Sequence, residues 1–170
     1  YVYASGAVTV SLGTAGAQAT GGSGNDTLVS LENLTGSTFN DTLTGDATAN
    51  VLDGGAGADT LIGGDGADAY FVDNAGDLVT ETNAVLATGG SDTVFSSLAA
   101  YTLTSNVENL RLLASGAANG TGNGLNNLLY AGAGDNVLDG AGGTDTVSYA
   151  SASGAVTVNL GSVGVQTTGG

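Results

Sequence analysis

The chain has 170 residues and a formal net charge of −15, with sixteen acidic side chains against one basic residue, Arg111. That balance excludes nucleic-acid binding through basic patches, and the absence of Cys and His removes disulfides, thiolate chemistry and the usual zinc ligands. No apolar run approaches the roughly 20 residues of a membrane-spanning helix. Catalysis is not expected, because without His, Cys or Lys general acid–base work would fall to carboxylates already committed to turns.

Residues 1–35 read as a β-strand segment and a first glycine turn. Ala7-Val8-Thr9-Val10-Ser11-Leu12 alternates apolar and polar side chains between Gly6 and Gly13, the period of a half-buried strand. GGSGNDTLV at 21–29 follows as a turn and strand, with Asp26 in the turn. Leu28, Leu31 and Leu34 have a spacing compatible with a helical turn, yet Leu34-Thr35-Gly36 is in phase with Leu43-Thr44-Gly45, so a strand is expected. Asp26 then caps the stack without a partner eighteen residues away.

Residues 36–80 repeat one nine-residue unit without a gap: GSTFNDTLT, GDATANVLD, GGAGADTLI, GGDGADAYF, VDNAGDLVT. Position six of the units is Asp41, Asn50, Asp59, Asp68 and Asp77; position eight is Leu43, Leu52, Leu61, Tyr70 and Val79. Such units cannot bury an apolar face alone and must stack as a solenoid. The glycine-rich half suits a tight turn, and the following triplet, such as Thr60-Leu61-Ile62, is β-prone with one side chain inward. Two units make one coil, so Asp41 stacks on Asp59, Asn50 on Asp68 and Asp59 on Asp77. A column of carboxylates with almost nothing basic nearby repels itself. Oxygen-only donors from carboxylates and turn carbonyls suit Ca²⁺ better than Mg²⁺, which demands a strict octahedron. A lone Asp in such a turn is equally well an Asx-turn residue without metal; five consecutive units in phase shift the balance to metal.

GGAGADTLI and GGDGADAYF resemble the repeats-in-toxin (RTX) family of hemolysin-type calcium-binding nonapeptides, GGxGxDxUx, and GGSGNDTLV at 21–29 is a third full match. The resemblance implies an all-β fold, a right-handed parallel β-roll, with each ion held between the turns of repeats i and i+2 by two position-six side chains and four carbonyls. Carried over, one ion lies between Asp41 and Asp59 with the carbonyls of Ser37, Phe39, Gly54 and Ala56. A second uses Asn50 and Asp68 with those of Asp46, Thr48, Gly63 and Asp65; a third uses Asp59 and Asp77 with those of Gly55, Gly57, Val72 and Asn74. The neutral oxygen of Asn50 should weaken the second site.

From 81 to 118 the nine-residue phase is lost. Val94, Leu98, Tyr101, Leu103, Val107, Leu110 and Leu112 are the inward candidates of irregular coils that continue the solenoid. Glu81 and Asp92 could each ligate an ion or simply be solvated, and Arg111 is expected to pair with a nearby carboxylate such as Glu108. Phase returns at 119–148 with Asn127, Asn136 and Asp145 at position six and Leu129, Leu138 and Val147 inward. Asn keeps the turn but offers a weaker donor, so at most one site, between Asn127 and Asp145, is expected there, with an Asn ladder elsewhere.

Residues 149–170 start a second copy. GAVTVSLGTAGAQATGG at 6–22 aligns without gaps to GAVTVNLGSVGVQTTGG at 154–170, an offset of 148 residues. Val147, Val156 and Val165 hold the nine-residue phase across the junction, and neither end of the chain reads as a polar cap, so continuous β-structure and self-association into an extended array or filament are expected. Three functions fit such a chain. It is a structural module of a secreted, cell-surface protein (surface layer, adhesin stalk or filament), an accessory type I secretion module of an RTX enzyme or toxin, or an ice-binding solenoid. The mixed outward residues Thr44, Asp53, Ile62 and Phe71 weigh against ice, and the tandem recurrence favours the structural array.

Overall fold

The computed structural model describes residues 1–83 and 89–160, and among these there are sixteen short strands and no helix. The strands that carry the argument are β1 (Thr9–Ser11), β4 (Asn33–Thr35), β5 (Thr42–Thr44), β6 (Val51–Asp53), β7 (Thr60–Ile62), β8 (Ala69–Val72) and β9 (Leu78–Thr80). They continue through β10 (Thr93–Ser96), β11 (Ala100–Thr102), β12 (Asn109–Leu112), β13 (Asn119–Thr121), β14 (Leu128–Tyr130), β15 (Leu138–Asp139) and β16 (Thr146–Ser148). The short remaining pair, β2 (Ala17–Gly21) and β3 (Gly24–Thr27), is an antiparallel hairpin.

Each glycine-rich half-unit breaks the strand and turns it, so consecutive triplets fall alternately on two faces of a roll. Within the spine the predicted eighteen-residue register holds: Leu43 pairs with Leu61 and Leu61 with Val79 in one parallel sheet, ordered β1-β5-β7-β9. Opposite stands a seven-stranded parallel sheet, in which Leu34, Leu52, Tyr70, Val94, Leu110, Leu129 and Val147 occupy one register position. These inward columns merge into a single core, with Leu43, Leu52, Leu61, Tyr70, Val94, Leu110 and Leu129 fully buried. A three-stranded sheet, β11-β13-β15, serves the C-terminal half, and there Tyr101 and Leu138 pack against the same core. The fold is thus an all-β parallel solenoid, as the period requires.

The 81–118 stretch keeps the cross-section, and Val94, Leu103, Val107, Leu110 and Leu112 are buried with Leu98 and Tyr101 packed beside them. Its spacing is irregular. The step from β8 to β10 is 24 residues, from Ala69 to Thr93, and the next, from Thr93 to Asn109, is 16.

Two expectations are corrected at the N-terminal end. GGSGNDTLV at 21–29 is not a turn of the roll: its Gly24–Thr27 part is β3 of the hairpin, and Asp26 pairs in register with Gln18. The physical reason is local, because Leu31 and Val29 point to solvent and no unit eighteen residues on is in phase with it, so β1 pairs instead with β5, 33 residues later. Second, the N-terminal end does carry a cap. The Gln18 side chain accepts from Ser11 N at 2.8 Å and donates to Ser11 O at 2.9 Å, filling the open edge of β1, while the Tyr1 amino group donates to Thr35 O of edge strand β4 at 2.6 Å. Val147 lies in β16, but Val156 and Val158, the counterparts of Val8 and Val10, are exposed and outside any strand. β1 is held by β5, 33 residues later, and the position 33 residues after the copy of Thr9 falls past residue 170. Val165 and the rest of 161–170 lie outside the described residues.

Candidate metal centre

The turns stack as the strands do. The backbone N–H of Asp41 donates to Asp59 Oδ1 at 2.7 Å, and that of Asp59 donates to Asp77 Oδ1 at 3.0 Å. On the other side Asn50 N donates to Asp68 Oδ1 at 2.7 Å, Asp68 N to Asp92 Oδ1 at 2.8 Å, and Asp92 N to Glu108 Oε2 at 2.8 Å. In the last block Asn127 N donates to Asp145 Oδ1 at 2.9 Å. Each position-six aspartate therefore spends one oxygen on the coil before it. What the second oxygen does distinguishes one turn from another.

Asp41 and Asp77 are satisfied by their own turns. Asp41 accepts from Ser37 N and Oγ and from Val8 N, and Asp77 Oδ2 accepts from Asp73 N at 3.1 Å and Asn74 N at 3.0 Å. Asp59 Oδ2 and Asp68 Oδ2 are buried and find no hydrogen-bond partner. A buried ionised oxygen without a partner is costly enough that it demands a proton or a cation. Accordingly burial pushes both carboxyls up to about 6; for Asp59, the Asp77, Asp41 and Asp73 charges add to it, and for Asp68 that of Asp46 does.

The turn backbone closes around these oxygens. A Cβ on Gly54 would run into Asp59 Oδ2. Gly55 and Gly57 have φ of 78° and 143°, and a Cβ on either would meet the carbonyl oxygens of Ser37 or Phe39 on the neighbouring coil. In the same way the carbonyls of Asp46 and Thr48 face Gly64 and Gly66, Gly54 O faces Gly36, and Gly63 O faces Gly45. Orphaned carboxylate oxygens beside inward-facing carbonyls fit a hard cation such as Ca²⁺. Of the remaining expected carbonyl donors, Val72 O already accepts from Ser97 N at 3.0 Å and Asn74 O from Asp77 N at 3.0 Å, while the Asp65 side chain accepts from Asn83 Nδ2 at 2.7 Å. Ala56 sits in the same turn as Gly55 and Gly57.

Asparagine reaches the preceding coil through its own amide. Asn50 Oδ1 accepts from Asp46 N while Nδ2 donates to Glu32 O at 3.0 Å on the preceding coil; Asn127 Nδ2 donates to Val107 O and Glu108 O, and Asn136 Nδ2 to Ala118 O at 2.8 Å. Asp26 stands apart from both columns. Its Oδ2 accepts from Thr20 Oγ1 at 3.1 Å inside the hairpin. Arg111 does not pair with Glu108, which is held by Asp92 N; its guanidinium lies 5.6 Å over the Tyr130 ring and donates to Ser151 Oγ.

Sequence reasoning treated Glu81 and Asp92 as separate possibilities, whereas the fold brings them together with Asp68. One oxygen from each of the three lies within 4.8 Å of the others, and all three residues are buried. Glu81 shares a short hydrogen bond with the Tyr70 hydroxyl. Burial first, then the Asp92 and Asp68 charges, pushes Glu81 up to about 8; burial, Glu108 and Asp68 push Asp92 to about 7. The loss of period at 81 hid this convergence, since Asp92 stands 24 rather than 18 residues after Asp68.

This geometry is that of a calcium-binding β-roll, a structural module built from stacked turns. The family described as RTX calcium-binding nonapeptide repeat (4 copies) matches residues 13–31, 34–70 and 121–151, together just over half of the chain, and the chain belongs to that family. Its repeats bind Ca²⁺. No curated protein and no solved structure matches the chain.

Proposed function

We propose that the chain is a calcium-hardened structural segment of a secreted, tandem-repeat cell-surface protein, of the kind that forms a surface layer, an adhesin stalk or an extracellular filament. The recurrence of residues 6–22 at 154–170 carries this reading, because an accessory secretion module gains nothing from a second copy of itself, whereas a stalk gains length. The N-terminal hairpin supports a particular arrangement. Each roll begins with its own edge cover, so copies follow one another as discrete calcium-bound segments. The ions sit between turns, with Asp59 shared by the Asp41 and Asp77 positions and Asp68 facing Asn50. With a single Arg in the whole chain, bound cations rather than basic side chains neutralise the turn columns. Electron microscopy of a chain holding two or more copies, with and without EGTA, tests the proposal. Extended, chelator-sensitive particles are expected; a compact, monodisperse monomer in millimolar calcium would overturn it.

A further inference from the structure

Glu81, Asp68 and Asp92 form a cluster unlike the turn sites. Each uses one oxygen to anchor itself: Asp68 Oδ1 on Asn50 N, Asp92 Oδ1 on Asp68 N, and Glu81 Oε1 on the Tyr70 hydroxyl. The other oxygen of each, Asp68 Oδ2, Asp92 Oδ2 and Glu81 Oε2, is buried without a hydrogen-bond partner. The residues are 2%, 1% and 7% exposed, so water does not solvate three carboxylates packed together. Arg111 is the only basic side chain of the protein and is engaged at Tyr130, so no side-chain cation neutralises them. A cation about 2.4 Å from each donor would hold oxygens no more than about 4.8 Å apart, which is the limit within which one oxygen from each of these residues falls.

We propose that Asp68, Glu81 and Asp92 bind one Ca²⁺ through side chains, at the point where the nine-residue register breaks. Glu81 directly follows β9, the last strand of the four-stranded sheet, while Asp68 and Asp92 directly precede β8 and β10 of the opposite sheet. The ion ties the end of one sheet to two strands of the other and bridges the 24-residue step between them. Carboxylates do here what turn carbonyls do in a regular repeat, and Glu81 and Asp92 lie outside the segments that match the family. A Cβ on Gly63 would collide with Asp68 Oδ2, Glu81 Oε1 and the Tyr70 hydroxyl, so the glycine keeps the pocket open. With three negative charges the site takes Tb³⁺ as well as Ca²⁺, and Tyr70 is placed to sensitise its emission.

The inference rests on the reading of the roll as a cation-binding module but not on the turn sites, and one experiment separates them. Calcium is titrated calorimetrically into the whole chain and into Glu81→Gln and Asp59→Ala, with circular dichroism as the check on folding. Glu81→Gln is expected to bind one ion fewer and to lose most tyrosine-sensitised Tb³⁺ emission. Tyr70→Phe, which keeps every carboxylate, should retain the ion count and lose several-fold in emission. An unchanged ion count in Glu81→Gln, with Asp59→Ala still losing ions, would overturn this site and leave the turn sites standing. Loss in Glu81→Gln alone would support this site while removing the turn assignment. If Glu81→Gln does not fold, unchanged emission in Tyr70→Phe overturns the proposal.

Discussion

The backbone N–H of Asp41 donates to the carboxylate of Asp59 eighteen residues later, and Asp59 in turn leaves its second oxygen buried and unpartnered. One side chain thus holds the coil before it and presents a charge to the space between coils. Asp59→Ala removes both functions, so it should lower calcium stoichiometry by up to two ions. It should also cost about 1–3 kcal/mol from the stranded Asp41 N–H. Asp53→Ala, on an outward strand position, should leave stoichiometry unchanged. Isothermal titration of the two variants compares them directly, and equal losses would mean that the wrong carboxylates have been assigned.

Removing the metal at neutral pH or above, where most of the turn carboxylates are ionised, should remove the fold. Sixteen acidic residues in a chain with one Arg repel one another, and calcium that binds only the native roll supplies the linkage free energy that orders it. Circular dichroism is expected to lose its β signal in EGTA and regain it with excess calcium. A β spectrum untouched by chelation would show that burial alone suffices.

Protons compete for the same oxygens. Burial raises Asp59 and Asp68 to about 6, Asp92 to about 7 and Glu81 to about 8, from ordinary values of 3.8 for Asp and 4.5 for Glu. A group with a higher pKa folded than unfolded binds more protons in the native state. Its stabilisation is complete below the unfolded value and is lost as pH rises through the folded one. The metal-free roll should therefore become less stable from about pH 4 to about pH 8, whereas saturating calcium should reverse the trend, because binding requires ionised carboxylates. Thermal melts across that range, with calcium or with EGTA, read both signs. A chelated midpoint that climbs with pH would contradict the assignment.

Gln18 closes the open edge of β1 with a two-point contact to Ser11. Gln18→Ala exposes that edge, and the expected outcome is a loss of about 1–2 kcal/mol together with concentration-dependent association. Chemical denaturation and size-exclusion chromatography measure the two effects. A variant that stays monomeric and equally stable would show that the hairpin covers the end without this side chain.

Where the period is unbroken, sequence and fold coincide: Leu43, Leu61 and Val79 stack in register, as do Leu34, Leu52 and Tyr70, because the spacing of glycine turns and apolar residues leaves one way to bury them. The N-terminal hairpin was illegible for the same reason. GGSGNDTLV has the letters of a repeat, but its fate depends on whether a neighbour stands at the right distance, and that is a property of residues 28–42 rather than of the motif. The Asp68, Glu81 and Asp92 cluster was half legible. The residue types were visible, but only the folded 24-residue step sets Asp92 beside Asp68. Arg111 was misread because a pairing rule favours the nearest carboxylate, while strand register sets it beside Tyr130.

Because each inner strand of the roll is hydrogen-bonded only to the coils on either side, a pulling force along the axis meets the chain one coil at a time. A coil of eighteen residues adds roughly 4.8 Å to the folded roll and releases about 60 Å when it unravels. Such a segment would lengthen in equal steps under tension, and each ion wedged between turns would set the load at which its step gives way. The irregular steps on either side of β10 would mark releases unlike those of the regular coils.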